Sequence, residues 1–158
     1  MFREQRRKNK QLSIEDTKHL LEKERRGVLS VIGDDNYPYG VPINYIYVKE
    51  DNKIYFHGSR IGHKADSIKK SNKVCFTIYG NETIKEENWA PYMQSVIVFG
   101  RCNIITNQED CINLIRKFAN KYYPDKKLIE EEIEKSIKAV QMYEIEIEHL
   151  TGKEIQEK

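Results

Sequence analysis

Between Gly27 and Leu150 the chain repeats one pattern: short segments with apolar residues at alternate positions, separated by turn residues. A period of two puts one set of side chains on one face of an extended strand, so each segment can bury that face and wet the other. "GVLSVIG" is a short apolar run closed by the turn chemistry of "GDDN". "YPYGVPINYIYVK" alternates, with Val41, Ile43, Tyr45 and Tyr47 on one face, and Pro38 and Pro42 mark an edge or an interrupted ladder. "KIYFHG", "KVCFTIYG", "QSVIVFGRCNII" and "VQMYEIEIEHL" complete the set, with Gly100 placed for a bend or bulge and Tyr143, Ile145 and Ile147 facing inward. Six strands with mostly short connections predict an antiparallel sheet that closes into a small barrel.

Helices flank this sheet. "SIED" at Ser13 has the form of a capping box, and Ile14, Thr17, Leu20 and Leu21 then share a face up to about Glu24. "QEDCINLIRKFANKYYP" carries acids at its start, bases near its end and Pro124 as a stop, with Cys111, Ile115, Phe118 and Tyr122 on one side. "KLIEEEIEKSI" predicts a further short helix, whose glutamates Glu130, Glu131, Glu132 and Glu134 read as a solvated face. The predicted class is α+β, mainly β: a six-stranded antiparallel split barrel with peripheral helices. At 158 residues the chain suits one domain, with a basic arm over residues 1–12 and a tail over 150–158.

Composition narrows the function. A net charge of +2 gives no general affinity for nucleic acid, and no RNA-binding motif accompanies the basic arm. The arm reads instead as a segment packing across a partner chain. No apolar run approaches the roughly 20 residues that span a bilayer, and the N-terminus lacks the apolar stretch of a secretory signal. Cys75, Cys102 and Cys111 are an odd set without CxxC spacing, which predicts free thiols in a cytoplasmic setting and no zinc site.

One loop stands out chemically. In "YFHGSRIGHKADSIKKS" a strand runs into Gly58, Ser59, Arg60 and Gly62 and then a helix that opens on His63 and Lys64. A helix start presents unpaired N–H groups and the positive end of its dipole. A lysine in that first turn is disfavoured unless an anion lies beside it. Glycines allow close backbone approach, so the loop has the makings of a phosphate or carboxylate cradle. The alternative is an ordinary solvated surface loop. Neither the P-loop nor the dinucleotide pattern of glycines is present.

The stretch from "GVLSVIGDDNYPYGVPINY" through "IYFHGSRIGHKADSIKKSNKVCFTIYG", together with "MFREQRRKNKQLS" and "MQSVIVFGRCNII", resembles the FMN-binding split-barrel superfamily typified by pyridoxamine 5′-phosphate oxidase, and within it the nitroimidazole-resistance branch. The resemblance implies a homodimer with FMN at the interface. It assigns the FMN phosphate to His57, Gly58, Ser59, Arg60, His63 and Lys64, the flavin edge to Val41, Pro42, Ile43 and Asn44, and a flavin contact to Ser95. It also implies electron transfer to a small flat acceptor, such as a nitroaromatic compound, with His57 as the candidate catalytic residue. The oxidases carry Ser-Arg-Lys where this chain has Gly62-His63-Lys64, and no counterpart of their substrate-binding C-terminal segment is evident. Oxidation of vitamin B6 phosphates is therefore not implied. A different class stays open: a non-catalytic module binding flavin, haem or F420 on the same barrel, with His57 as the haem-ligand candidate. Trp89 and Tyr92, in "EENWAPYMQS", read either as a cover for the flavin or as an aromatic plug; His19 and His149 read as surface and strand-edge residues.

Overall fold

The computed structural model describes residues 2–85, 87, 90–123 and 125–156. Trp89 and Pro124 lie outside the described residues. Seven strands form one sheet: β1 (Arg26–Ile32), β2 (Pro38–Asn44), β3 (Ile46–Val48), β4 (Lys53–Ser59), β5 (Lys73–Lys85), β6 (Ala90–Ile104) and β7 (Val140–Gln156). Four α-helices accompany them: α1 (Ile14–Lys23), α2 (His63–Lys70), α3 (Gln108–Tyr122) and α4 (Lys126–Ser136). The strand order is β2-β1-β5-β6-β7-β4-β3, and every pair is antiparallel.

The first and last strands of that order are neighbours in the chain, separated only by Tyr45. The sheet must therefore curl until its two edges meet, which makes a barrel closed by the chain rather than by a full ladder. This corrects the expected count of six strands. The single strand expected from Tyr37 to Lys49 breaks at Tyr45, whose ring turns into the core and whose hydroxyl donates to the Leu21 carbonyl at 2.7 Å. Tyr122 closes the break, accepting from the Tyr45 N–H at 2.9 Å and donating to its carbonyl at 2.6 Å.

The barrel interior holds the main core, with Leu29, Phe56, Phe76, Val96, Val98, Tyr143 and Ile145 buried. α1 plugs one end through Thr17, Leu20 and Leu21, capped by Ser13, whose Oγ accepts from the Asp16 N–H at 3.0 Å. Ile14 does not join that face; in the first turn it lies beyond the barrel rim and stays exposed. A second, smaller core lies outside the barrel, where Phe118 of α3 meets Tyr55, Ile46, Val48 and Met142. The β6–β7 ladder shifts register at Phe99/Gly100, as the glycine suggested. A Cβ at Gly100 would lie 2.2 Å from the Glu146 carbonyl oxygen, so only glycine lets the strands close up there. β7 continues pairing to Gln156, well past Leu150, where the alternating run suggested an end.

Candidate functional site

β4 ends at the loop singled out above. Alternation along β4 sends Phe56 and Gly58 toward the barrel interior and Tyr55 and His57 toward α3. His57 lies edge-on to Phe118, with ring centroids 4.7 Å apart. That enclosure, and then the nearby Lys64 charge, lower its pKa below the ordinary histidine value. A neutral imidazole at the protein surface results.

The loop is fixed by its own polar groups. Tyr143 donates to the Ser59 carbonyl at 2.9 Å, the Ile61 N–H donates to Ser59 Oγ at 3.2 Å, and Lys69 reaches the Arg60 carbonyl at 3.4 Å. Gly62 then turns the chain at φ +109°, a conformation open to glycine and scarcely to any other residue. No side chain caps α2, and its first helical bond runs from the Asp66 N–H to the Gly62 carbonyl. The N–H groups of His63, Lys64 and Ala65 therefore have no helical acceptor. Nothing lies within 4 Å of where a Gly62 Cβ would be, so the chain borders open space at this turn.

Lys64 is the central cation. Its stem crosses Gly58, where a Cβ would stand 2.9 Å from Nζ, and its ammonium lies 5.3 Å from the centre of the buried Phe56 ring. It forms no ion pair among the described residues. Burial lowers its pKa, and only the neighbouring Cys102 acts the other way. That thiol is itself pushed up to about 12 by burial, so it stays protonated and does not neutralise the lysine. A half-buried ammonium without a counterion, beside free N–H groups at a helix start, is an arrangement that an anion would complete.

The remaining expected residues divide by position. His63 turns away from the loop: its ring stacks on Tyr39 at 4.1 Å, and its Nε2 lies 3.4 Å from the Asp34 N–H and 3.7 Å from the Asp34 carboxylate. This contact sets the start of β2 beside α2, and Val41, Pro42, Ile43 and Asn44 follow along the same strand at the edge of the sheet order. Ile43 faces the core and Val41 packs against it, while Pro42 and Asn44 face out. Arg60 is exposed and lines a cleft of about 530 Å³ with Cys111, Lys138 and Gln141. Ser95 is not part of this cluster. It lies three strands from β2, about 14 Å across the sheet at the usual ~4.8 Å per strand. Tyr92 lies within β6, paired with Thr83 and Gln156, rather than in a loop.

Sequence reasoning missed Tyr39, Phe118 and Cys102, each of which shapes the cluster. Phe118 belonged visibly to the apolar stripe of α3, but its meeting with His57 depends on how α3 docks. Tyr39 and Cys102 carried no local signal beyond strand alternation. Among the described residues there is no group of acids, histidines and cysteines that could hold a metal, and no helix is long and apolar enough to cross a membrane.

Comparison with known proteins agrees with this architecture. No curated protein matches the chain. Among solved structures, a candidate 5-nitroimidazole antibiotic resistance protein from Bacteroides thetaiotaomicron superposes with a TM-score of 0.76 at 16% identity, covering 92% of this chain and 87% of that one. A FAD-binding protein from Mesorhizobium loti gives 0.66 at 21% identity, covering 92% and 96%. The flavocytochrome Anf3 from Azotobacter vinelandii gives 0.75 at 18% identity, covering 95% and 71%. At these identities the likeness is one of fold. The family model of pyridoxamine 5′-phosphate oxidase, however, matches residues 13–154, nearly the whole chain, and the protein therefore belongs to the pyridoxamine 5′-phosphate oxidase family.

Proposed function

We propose that the protein binds FMN, with the cofactor phosphate at the mouth of α2, and acts as a reductase of small flat acceptors such as nitroaromatic compounds. The observation that carries this reading is the half-buried Lys64 ammonium, which has no ion-pair partner among the described residues and belongs to the uncapped first turn of α2. Membership of the family and the flavin-binding names of its structural neighbours support the choice of a flavin. Lys64 and the α2 N–H groups would hold the phosphate, with Ser59 and Arg60 at hand on the exposed side. The outward groups of β2 at Pro42 and Asn44 would flank the ring. When bound, FMN would supply the redox chemistry. His57, kept neutral by its surroundings, is placed to hold or pass a proton near the loop.

A homodimer belongs to the same proposal. Pro42, Val28, Thr77, Ile97 and Thr151 form one row across five strands on the outer face of the barrel, with Gly40, Ser30, Cys75, Phe99 and His149 in the next. Ile97 and Phe99 are 38% and 39% exposed there. Ser95 projects from this same face, so a second copy docked on it would bring Ser95 toward the partner's flavin.

The test is an absorption and fluorescence titration of the purified protein with FMN, repeated on Lys64→Met, which keeps the packed stem and removes the charge. Bound flavin bands with quenched fluorescence are expected, with affinity at least about tenfold weaker in the variant, as losing a charged hydrogen bond worth roughly 1.5–3 kcal/mol requires. FMN fluorescence unaffected by excess protein would overturn the reading. Activity is then read as consumption of a nitroimidazole by the reduced, FMN-loaded protein.

A further inference from the structure

The cleft of about 530 Å³ that Arg60 lines is built by the loop after β4, the link from β6 into α3, and the turn from α4 into β7. Its floor is tied together at one carbonyl. That of Ile105 accepts from Gln141 Nε2 at 3.0 Å and from the Cys111 thiol at 3.4 Å. Gln141 Nε2 also donates to the Met142 carbonyl at 2.9 Å, and the Ile105 N–H donates to that same carbonyl at 3.0 Å. Gln141 thereby commits its amide nitrogen and keeps its side-chain oxygen as an acceptor. Ile105, Ile137 and Val140 supply the apolar lining.

The charge along this cleft is of one sign. The β4–β7 ladder ends at the Ser59–Val140 pair, and Arg60 and Lys138 lie just beyond it on the two chains. Both cations therefore stand at one end of the cleft, while Gln141, paired with Gly58, lies further in. Both are exposed, and neither forms an ion pair among the described residues. No carboxylate among the described residues lines the cleft. Burial and then Asp110 raise the pKa of the Cys111 thiol, and the Arg60 charge opposes them, so the guanidinium acts across the cleft floor. The root of Arg60 is already fixed, because Tyr143 and Lys69 donate to the Ser59 and Arg60 carbonyls.

We propose that this cleft binds a nucleoside monophosphate whose base carries an exocyclic amine. Arg60 and Lys138 hold the phosphate through charge-assisted hydrogen bonds. The base lies against Ile105, Ile137 and Val140, and its amine donates to the Gln141 side-chain oxygen. The volume falls in the range of about 300–1,000 Å³ usual for small-molecule sites. Cations at one end and apolar and amide groups further in suit a ligand with an anionic end and a flat, partly polar body. The inference does not rest on the flavin reading. Arg60 borders both sites, but Lys64 belongs only to the α2 mouth and Lys138 only to the cleft.

The experiment titrates the full chain with AMP by calorimetry, with ribose 5-phosphate, adenosine and inosine monophosphate as comparisons. AMP should bind at least about tenfold more tightly than ribose 5-phosphate or adenosine, which each keep only part of the contacts. Inosine monophosphate, with a carbonyl in place of the amine, should bind more weakly than AMP. Lys138→Gln should weaken AMP about tenfold and leave FMN binding as in wild-type protein; Lys64→Met should do the reverse. Iodoacetamide labelling, mapped by mass spectrometry, locates the ligand: AMP should slow alkylation of Cys111 and leave that of Cys75, on the outer sheet face, unchanged. No binding of AMP, affinity no better than that of ribose 5-phosphate or inosine monophosphate, or Cys111 labelling indifferent to AMP would overturn the proposal. So would loss of AMP binding in Lys64→Met but not in Lys138→Gln, which would put the nucleotide at the α2 mouth. If AMP follows the expected pattern and FMN does not bind, the flavin reading alone falls.

Discussion

Lys64 of α2 and His57 of β4 lie on opposite sides of β4, and the Lys64 charge adds to burial in lowering the affinity of His57 for a proton. Lys64 crosses Gly58 on the barrel side; His57 packs on Phe118 outside it. The folded chain keeps the His57 pKa below its ordinary value, so proton uptake by this group favours the unfolded chain. Its contribution to stability is present above about pH 6.5 and is lost as pH falls through the lower folded value. Urea midpoints measured at pH 7 and pH 5 should therefore differ less in His57→Gln than in wild-type protein. An equal difference in the two proteins would show that other groups carry the acid sensitivity. The sequence displayed Lys64, His57 and the glycines around them, and it identified a candidate anion site. It did not show that His63, one position before Lys64, would turn away to stack on Tyr39.

Local signals set the secondary elements well where one interaction decides the outcome. Ser13 caps α1 through the Asp16 N–H, and Asn107 and Asp125 cap α3 and α4 in the same way. Ser13→Ala should cost about 1 kcal/mol and lower the melting temperature by about 2–4 °C, read by calorimetry. Gly100 is a sterner constraint, because an added methyl would collide with backbone rather than with a movable side chain. Gly100→Ala should destabilise by about 1–3 kcal/mol, seen as a lowered urea midpoint; an unchanged midpoint would mean the β6–β7 bulge relaxes freely. Elsewhere the local signal was ambiguous. Alternation runs unbroken from Val41 to Tyr47, so nothing short-range announced that Tyr45 would divide β2 from β3. Lys153 and Glu154 likewise look like a solvated tail, yet they pair with Ser95 and Gln94 of β6.

The molecule as a whole is a barrel whose two sheet edges are joined by a single residue. On its outer face Ile97 and Phe99 are part-exposed, and Phe2 of the N-terminal arm stacks against Phe99 and His149, with centroids 5.5 and 4.9 Å away. If this face joins two copies, Ile97→Lys should yield a monomer by sedimentation velocity and weaken FMN binding, while far-ultraviolet circular dichroism stays that of a folded barrel. A wild-type monomer that binds FMN fully would remove the dimer from the proposal. Arg25, Lys121 and Tyr122 show the same dependence on overall assembly, since residues nearly a hundred positions apart meet only when α3 docks beside the start of β1.

Period-two alternation, turn residues and helix caps act between near neighbours, so they were legible in the chain: an antiparallel sheet, its helices, the bulge at Gly100 and a glycine-rich helix mouth carrying cations. Where each cation would point, which ring His57 would meet and which lysine would be stripped of water depend on contacts between distant segments. Desolvation is a property of the packed surroundings rather than of a residue's neighbours in the chain. For that reason Lys64, conspicuous in the sequence at its helix mouth, shows its burial only once the barrel closes.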